Sequence, residues 1–254
     1  MLARLGRHLR SAFDAIEAES RAETATSDPL ASQRRVAVVL VTAGLSLTFI
    51  HYLQGSGPLV GLSEATTPEF ARLARWTAVN LVGYLVIPWV VVRFVLKERV
   101  AEFGLSRHAP GGWRPYAVLL VASLPFVVWA ATLPSFQSTY PFYRLGPGES
   151  PWPWLVAWWG LYAAQFVGVE AFFRGFLVHG TRARFGAGSV FVMMVPYLMI
   201  HFGKPAPEAL SAILGGVVLG FLSLTTRSIW WGVALHVAIA LVMDVTVLIR
   251  AGVL

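Results

Sequence analysis

Residues 153–179, PWLVAWWGLYAAQFVGVEAFFRGFLVH, decide the fold of this chain because they form one apolar segment long enough to cross a bilayer. Only Glu170 and Arg174 interrupt its aromatic and aliphatic residues with charge. Charged side chains are costly inside a membrane, so an ionisable residue in a spanning segment is a candidate functional residue by default. The segment therefore indicates a membrane helix that holds part of a site.

The composition of the whole chain is that of a membrane protein. Of its 254 residues, 56% are hydrophobic and 13% are charged, whereas about 25% are charged in a soluble domain. A helical crossing takes roughly 20 apolar residues. Segments that meet or approach this length are 36–54, 76–96, 114–134, 153–179, 188–203, 208–226 and 228–249. We predict an all-α, polytopic transmembrane helical bundle with about seven spans, within a range of six to eight.

The positive charges fall in alternate loops. The formal net charge is +7, and Lys and Arg gather on the cytoplasmic side of membrane spans. The basic loops carry Arg34 and Arg35, then Arg93, Lys97, Arg99, Arg107 and Arg114, then Arg182 and Arg184, then Arg227. This pattern predicts a multi-pass protein of the cell (cytoplasmic) membrane with a cytoplasmic N-terminus. The bilayer accounts for the basic loops, so the lipid bilayer is an implied partner and nucleic acid is not.

The first 33 residues form a cytoplasmic segment ahead of the transmembrane domain, which we place at 34–254. Apolar side chains recur there at helical spacing, at Leu2, Leu5, Leu9, Phe13 and Ile16. This spacing is typical of a short amphipathic helix on the membrane surface, and it fits a solvated helical arm equally well. The polar stretch 20–33 is then a linker.

Glu170 and Arg174 stand four residues apart, so they share one face of a helix and can pair. Pairing lowers the cost of burying both charges. A structural ion pair that holds the helix to its neighbours is one interpretation, and part of a catalytic site is the other. The chain has no cysteine, which excludes a disulfide, a thiolate metal site and a cysteine nucleophile.

Two histidines lie at depths similar to that of Glu170. Counted from the basic ends of their spans, Glu170 lies roughly 15 Å, His201 roughly 21 Å and His236 roughly 12 Å from the cytoplasmic surface. Helix tilt can absorb these differences, so three spans can bring one carboxylate and two imidazoles together. Such a group can activate water by general acid and base catalysis. It can also bind a divalent metal, and both interpretations stay open here.

The stretch HFGKPAPEALSAILGG at 201–216 adds a second carboxylate. Pro205 and Pro207 end the helix after His201, which places Glu208 in the first turn of the next span. A carboxylate suits the positive end of a helix dipole, so an N-terminal cap is the simpler interpretation of Glu208. Glu208 is also a candidate accessory residue, because it follows His201 closely in the chain.

Three motifs in this order resemble the CPBP family of intramembrane proteases, which includes the type II CAAX prenyl endopeptidases. The motifs are VEAFFRGF at 169–176, YLMIH at 197–201 and HVAIA at 236–240. The resemblance covers residues 75–245, including a typical lead-in, KERVAEFGLS, at 97–106. Such proteins are glutamate-dependent peptidases. A glutamate and a first histidine activate water, while a second histidine and its Asn or Asp partner stabilise the oxyanion.

The resemblance implies roles for five residues. Glu170 matches the second motif glutamate and Arg174 the motif arginine. Tyr197 matches the aromatic residue before the first histidine, His201 matches that histidine, and His236 matches the second. Tyr197 is thus an accessory candidate, whereas the other four are candidate catalytic residues.

Two positions depart from the family pattern, and both fall on the chemistry. The first motif glutamate, which is the family's base, is Val169 here, and the oxyanion partner is Ala240. The chain resembles a divergent branch with a single motif glutamate and a His-x-Gly-Lys-Pro-x-x-Glu pattern, seen here at 201–208. In that branch Glu170 or Glu208 takes over as the base.

We therefore predict an intramembrane endopeptidase that cleaves a membrane-anchored or lipidated protein. Glu170 with His201 activates water, His236 supports the oxyanion, and Arg174 holds Glu170. No cofactor is expected, with a divalent metal at Glu170, His201 and His236 left open. The alternative is a catalytically inactive family member that acts as a membrane peptide-binding, scaffold or immunity protein. A proton-relaying transporter is a weaker alternative, because the spans show neither repeats nor paired broken helices.

Overall fold

The computed structural model describes residues 28–54, 69–106, 112–145 and 150–254, together with residues 11, 13–22 and 25. Leu2, Leu5 and Leu9 of the predicted amphipathic helix lie outside the described residues. Phe13 and Ile16 lie on the helix that residues 13–22 form.

The main body of the described chain is helical. Its helices are α1 (Pro29–Gln54), α2 (Glu69–Val95), α3 (Arg114–Ala130), α4 (Pro134–Thr139), α5 (154–185), α6 (Ser189–Met199), α7 (Ala206–Thr226) and α8 (Trp230–Arg250). Wider π-helical turns occur in α2 and in α5, the latter at Ala171–Leu177. The described residues form no strand, only an isolated bridge between Leu105 and Ser228. The predicted all-α fold is confirmed.

Among the described residues, five helical stretches are long and apolar enough to cross a membrane, and one of them, Trp154–Met199, has 46 residues, which is enough for two crossings. The chain reverses inside it at Gly186, whose φ of 54° lies in the left-handed region. The reversal brings the Arg174 guanidinium to 3.9 Å from the centre of the Tyr197 ring. On one straight helix these residues would lie about 35 Å apart. Together with the shorter apolar helix α3, the described residues thus offer seven segments for the membrane, in agreement with the number of spans that the sequence predicts.

Proline and glycine set the turn that carries His201. The chain leaves α6 after Met199, and Gly203 adopts a φ of 89°. Pro205 is extended, and Pro207 lies in the first turn of α7, where its missing N–H costs nothing. His201 therefore lies in the turn between α6 and α7, and Glu208 lies in the first turn of α7, as the sequence predicts.

The outer surface of the bundle is apolar. Val118, Leu45 and Leu214 are each about two-thirds exposed, at 68%, 65% and 69%. A soluble protein rarely leaves large contiguous apolar surface exposed, whereas a bilayer covers it. This surface and the spanning lengths agree with a multi-pass membrane protein.

The helix of residues 13–22 packs against the turn between α5 and α6. Ile16 is buried, and the Phe13 ring lies 6.3 Å from that of Phe221 in α7. The Glu17 carboxylate accepts the backbone N–H of Ala187 at 2.8 Å. These contacts place the described part of the N-terminal segment on the basic end of the bundle.

Candidate active site

The charged pair in α5 meets a histidine from α8. The Glu170 Oε1 atom lies 3.0 Å from Nη1 of Arg174 and 2.7 Å from Nδ1 of His236. Glu170 and Arg174 are completely buried, whereas His236 is partly exposed. Two nitrogen groups within ion-pair distance of one carboxylate oxygen offset the cost of burying that charge, because their attraction replaces lost interactions with water.

Tyr197 of α6 links Arg174 to His236. Its hydroxyl lies 3.1 Å from Nε2 of His236, and the Arg174 guanidinium stacks on its ring. Glu170, Arg174, Tyr197 and His236 thus form a closed set of contacts, here named the buried polar ring. Three helices, α5, α6 and α8, are joined by it.

The partners in the buried polar ring fix the proton positions on His236. An ionised Glu170 carboxylate only accepts, so Nδ1 of His236 carries the proton that it receives. Nε2 of the neutral ring then accepts the Tyr197 hydroxyl proton. If His236 is protonated, Nε2–H donates to Tyr197, and the hydroxyl proton is free to point elsewhere. Either state keeps the imidazole in one orientation.

The His201 side chain contacts the backbone and the ring of Tyr197. Its Nδ1 lies 2.8 Å from the carbonyl oxygen of Tyr197, and its ring meets the Tyr197 ring edge-on, with the centroids 4.8 Å apart. A carbonyl oxygen can only accept, so Nδ1 carries the proton, and Nε2 of the neutral ring is left as an acceptor. This is the protonation state that a general base needs.

Both histidines line a cavity of about 930 Å³. Most of its wall is apolar, and its aromatic part consists of Trp76, Tyr84, Phe126, Phe136, Tyr140, Phe142, Tyr162, Phe166, Tyr197 and Phe202. Phe166 stacks on His236, with ring centroids 5.2 Å apart. The histidine nitrogens therefore lie in a largely hydrophobic cavity, where electrostatic interactions are stronger than in water.

The structure brings Glu170 to His236 directly, and it connects His201 to both through Tyr197. Glu170 and Arg174 are buried behind the wall rather than part of it. The wall positions next in the motifs are Val169 and Ala240, both apolar. The two departures from the family pattern thus face the cavity itself.

The carboxylate that does line the cavity is Glu208, in a second polar cluster. The Tyr140 hydroxyl lies 2.7 Å from Glu208 Oε1 and 2.9 Å from Lys204 Nζ, so it donates to the first and accepts from the second. The Lys204 ammonium lies 3.7 Å from Glu208 and 4.1 Å from the centre of the Phe142 ring. Burial lowers the pKa of Lys204, while Glu208 acts in the opposite direction. We name these three polar residues the wall cluster.

No three His, Asp or Glu side chains among the described residues lie close enough together to hold a metal ion. Both ring nitrogens of His236 have partners in the buried polar ring. His201 and Glu208 retain free acceptor atoms, but they belong to different polar groups. Of the trio that the sequence offered for metal binding, Glu170 and His236 contact each other directly, whereas Nε2 of His201 has no partner among the described residues.

Three further buried polar residues belong neither to the buried polar ring nor to the wall cluster. Asp244 accepts the indole N–H of Trp158 at 3.2 Å, two turns beyond His236 on α8. His179 shares a hydrogen bond with Ser223 at 3.0 Å, which is the packing role that a lone histidine in an apolar helix usually has. Asn80 of α2 lines the cavity.

Sequence reasoning missed three residues of the site. Phe166 precedes Glu170 by four residues and Gly232 precedes His236 by four, so helical spacing alone places each on the face of a candidate. A Cβ on Gly232 would lie 2.5 Å from Glu170 Oε2, so this glycine makes room for the carboxylate. Tyr140 has no such signal, because it lies far from Glu208 in the chain.

Comparison with protein families agrees with these motifs. Residues 151–242 match the Rce1-like family, described as Type II CAAX prenyl endopeptidase Rce1-like. The matched segment contains the buried polar ring together with His201, which confirms the resemblance to the CPBP proteases. A search among curated proteins and a search among solved structures found no match.

Proposed function

We propose that this chain, Rce1-like over residues 151–242, is an intramembrane endopeptidase that hydrolyses a membrane-anchored or lipidated protein inside its cavity. The observation that carries the proposal is that His201, His236 and Tyr197 share the wall of one cavity of about 930 Å³. Pockets of roughly 300–1,000 Å³ with apolar walls and a few convergent polar groups are typical small-ligand and active sites.

His201 is the proposed general base. A water molecule in the cavity gives a proton to Nε2 of His201 as its oxygen bonds to the scissile carbonyl carbon. The carbonyl oxygen takes the electron pair of the broken π bond and becomes an oxyanion. His201 then returns the proton to the leaving nitrogen as the oxyanion re-forms the carbonyl and the C–N bond breaks. An amine and a carboxylic acid are released, and the acid loses its remaining proton to water.

Tyr197 is the proposed donor to the oxyanion, and His236 supports it. When His236 is protonated, its Nε2–H donates to the Tyr197 hydroxyl oxygen, and the hydroxyl proton is then free to point at the oxyanion. A hydrogen-bond donor fixed in advance stabilises the charge without reorganising during the reaction. Glu170 and Arg174 act through His236, since they fix its ring from behind the wall. They are positioning residues in this proposal. The proton of the attacking water, which Glu170 was expected to accept, goes to His201, which faces the cavity.

Glu208 is the proposed accessory carboxylate. It lines the same cavity as His201, and its Oε2 atom has no hydrogen-bond partner among the described residues. A carboxylate in that position can orient the attacking water or accept a second hydrogen bond from it. Lys204 and Tyr140 hold its other oxygen in place.

The proposed reaction uses no metal ion, and a chelator provides the test. The engagement of both His236 nitrogens supports this part of the proposal. Treatment with a strong divalent chelator, followed by its removal, should leave the cleavage rate unchanged. A rate that falls and returns when zinc is added would assign the water activation to a metal.

We also propose that the chain resides in the cell membrane with its N-terminus in the cytoplasm. Support comes from Arg35, which pairs with Glu98 at 2.9 Å and donates to the backbone carbonyl of Gly180 at 2.9 Å. These contacts join the ends of α1, α2 and α5 on one basic face. The positive-inside rule assigns such a face to the cytoplasm.

Cleavage by the reconstituted full chain tests the proposed function. A library of lipid-anchored peptides in liposomes, analysed by mass spectrometry in ¹⁸O water, should yield a product with one heavy oxygen in its new carboxylate. His201→Ala should reduce the rate by about 10²–10⁴-fold. His51→Ala is the matched control, because His51 lines the same cavity outside the polar groups. Equal cleavage rates in the two variants would show that His201 is not the general base.

A second function is favoured by Val169 and Ala240. Both line the cavity where the family pattern places its base and its oxyanion partner, so a non-catalytic member that binds peptides fits the same geometry. The double variant Val169→Glu with Ala240→Asn separates the two functions. If the native chain binds the library without cleaving it and the double variant cleaves it, the binding function holds. If the native chain cleaves the library, the peptidase function is supported.

A further inference from the structure

The cavity wall contains two side-chain amides that the proposed chemistry does not use, those of Asn80 in α2 and Gln165 in α5. Asn80 is buried at 2% exposure, and its Nδ2 atom has no hydrogen-bond partner among the described residues. The Oε1 atom of Gln165 is also buried, and the described part of the chain gives it no partner either. An amide nitrogen donates and an amide oxygen accepts, so the two unsatisfied atoms are one donor and one acceptor.

Unsatisfied buried amides need an explanation. Native proteins pair the large majority of their buried polar atoms, and the cost of leaving one unpaired is highest in a membrane, where water does not compensate it. The terminal torsions of Asn and Gln side chains are broad, so each amide can turn toward a molecule in the cavity without leaving a preferred rotamer. The two atoms therefore indicate a ligand that brings one acceptor and one donor.

The packing of α2 on α5 places the two amides at the same level of the bundle. The rings of Trp76 and Trp158 lie 6.3 Å apart, and those of Tyr84 and Phe172 lie 5.2 Å apart. The order of these contacts shows that the helices run in the same direction, and each amide lies midway between the two contacts on its own helix. A Cβ on Gly168 would lie 3.3 Å from the Tyr84 Cβ, so the helices are in close contact here.

The same level of α5 borders the proposed catalytic groups. Phe166, the residue after Gln165, stacks on His236 with the ring centroids 5.2 Å apart. Val169, one helical turn beyond Gln165, lines the cavity as well. A molecule that contacts His236 in the cavity therefore passes close to the two amides.

From this arrangement we propose that Asn80 and Gln165 form a subsite for the main chain of an extended substrate peptide. The Asn80 amide donates to a peptide carbonyl oxygen, and Oε1 of Gln165 accepts a peptide N–H. A peptide bond is open to a general base and an oxyanion donor when its segment is extended. In a membrane, each backbone group freed in this way needs a partner.

The ligand class of this subsite is a peptide backbone rather than a particular side chain. Main-chain hydrogen bonds supply affinity that does not depend on the residue at the bound position. The subsite rests on the proposed function, because it serves a cavity that receives peptides. It serves a chain that cleaves the peptide and a chain that only binds it equally well.

Peptides with a modified backbone test the subsite. The full chain carries His201→Ala so that no cleavage disturbs the equilibrium, and its Kd is measured in liposomes. The ligand is the library peptide that binds most tightly, here named the reporter. A series of reporters replaces one amide at a time by an ester, which removes a single N–H. We expect one position at which the ester raises the Kd about tenfold.

The Gln165→Met substitution assigns that position to Gln165. Methionine has a similar length, but its thioether accepts hydrogen bonds only weakly. In the presence of Gln165→Met, the ester at the sensitive position should no longer change the Kd. A sensitive position that persists in Gln165→Met, or a series with no sensitive position, would overturn the proposal.

Asn80→Leu tests the donor and separates binding from a structural role. It should weaken binding of the unmodified reporter about tenfold. Without peptide, its melting temperature should stay the same or rise, because leucine replaces a buried donor that has no partner. Ser123→Ala is the matched control, since Ser123 lines the cavity and its hydroxyl already donates to the carbonyl of Leu120 at 2.8 Å. A lower melting temperature with an unchanged Kd in Asn80→Leu would overturn the proposal.

The subsite and the peptidase function can fail separately. Binding that depends on Asn80 and Gln165, with no ¹⁸O-labelled product from the native chain, would support the subsite and remove the peptidase function. Labelled product from the native chain, with an unchanged Kd in both variants, would support the peptidase function and overturn the subsite. A chain that binds no peptide of the library would overturn the subsite as well.

Discussion

Two ion pairs with the same spacing of four residues differ in their surroundings. Glu170 and Arg174 are both 0% exposed, and a histidine and a tyrosine complete their contacts. The side chains of Lys204 and Glu208 are 25% and 22% exposed and line the cavity. The helical spacing is identical, so the difference comes from what surrounds each pair.

The difference in burial implies different roles for the two ion pairs. A fully buried pair cannot lose one partner cheaply, because the remaining charge has no water to compensate it. It therefore suits a positioning role, in which it fixes His236. A pair on a cavity wall exchanges with water and can change partners when a substrate arrives. It therefore suits contact with the reacting molecules.

Removal of the cation from each pair gives the largest difference. Arg174→Met leaves the Glu170 carboxylate without its partner and should lower the free energy of unfolding by about 3–5 kcal/mol. Lys204→Met should cost less than about 1 kcal/mol. The two values come from unfolding in mixed SDS micelles. Equal losses would contradict the distinction between the buried and the exposed pair.

The link from the buried pair to the chemistry is tested at Tyr197. Tyr197→Phe keeps the ring under the Arg174 guanidinium and removes the hydroxyl from His236 Nε2. We expect cleavage to slow by about 10²–10³-fold, the cost of one oxyanion donor. The free energy of unfolding should fall by only about 0.5–1.5 kcal/mol, the cost of one hydrogen bond. Tyr84→Phe, a tyrosine of the same cavity, is the control. An unaltered cleavage rate in Tyr197→Phe would show that the buried polar ring does not contribute to catalysis.

Gly232 sharpens the comparison at the Glu170 carboxylate. A Cβ there would lie 2.5 Å from Oε2 of a side chain that Arg174 and His236 hold in place. Gly232→Ala should therefore lower the free energy of unfolding by about 1–3 kcal/mol and slow cleavage as well. Gly160→Ala, where nothing lies within 4 Å of the new methyl group, should do neither. Similar melting temperatures for the two variants would argue that Glu170 moves freely.

The smallest effect is expected at the wall cluster. Tyr140→Phe removes the hydroxyl that joins Glu208 to Lys204, at a cost of about 0.5–1.5 kcal/mol for one hydrogen bond. Because Glu208 then loses an orienting donor, the cleavage rate should fall less than in Tyr197→Phe. The two cleavage rates are measured in one series on the same lipid-anchored peptide in liposomes. A larger fall in the cleavage rate of Tyr140→Phe would indicate that the wall cluster, rather than the buried polar ring, acts on the substrate.

The seven passes and the Glu170–Arg174 pair could be predicted from the sequence because both depend on local patterns. Apolar length sets the spans, and four-residue spacing sets the pair. Depth along the helices predicted that both histidines could approach Glu170. The structure brings His236 into direct contact with Glu170 and links His201 to the pair through Tyr197.

The rest of the site depends on helix rotation and on packing between distant segments. Depth says nothing about which way Glu170 faces, so its burial behind Val169 did not follow from spacing. The contact of Tyr140 with Glu208 joins a segment after α4 to α7, and no periodic pattern connects the two. The cavity itself arises from the gaps between several helices, which no single segment encodes.

Chemical rescue tests the role of His201 most directly. The His201→Ala variant leaves room in the cavity for free imidazole, which can accept the proton that the missing ring would have taken. We expect added imidazole to restore cleavage by His201→Ala in proportion to its concentration, and to leave the native chain and Tyr197→Phe unchanged. A folded His201→Ala variant that binds the reporter and gains no activity from imidazole would contradict the assignment of His201 as the base.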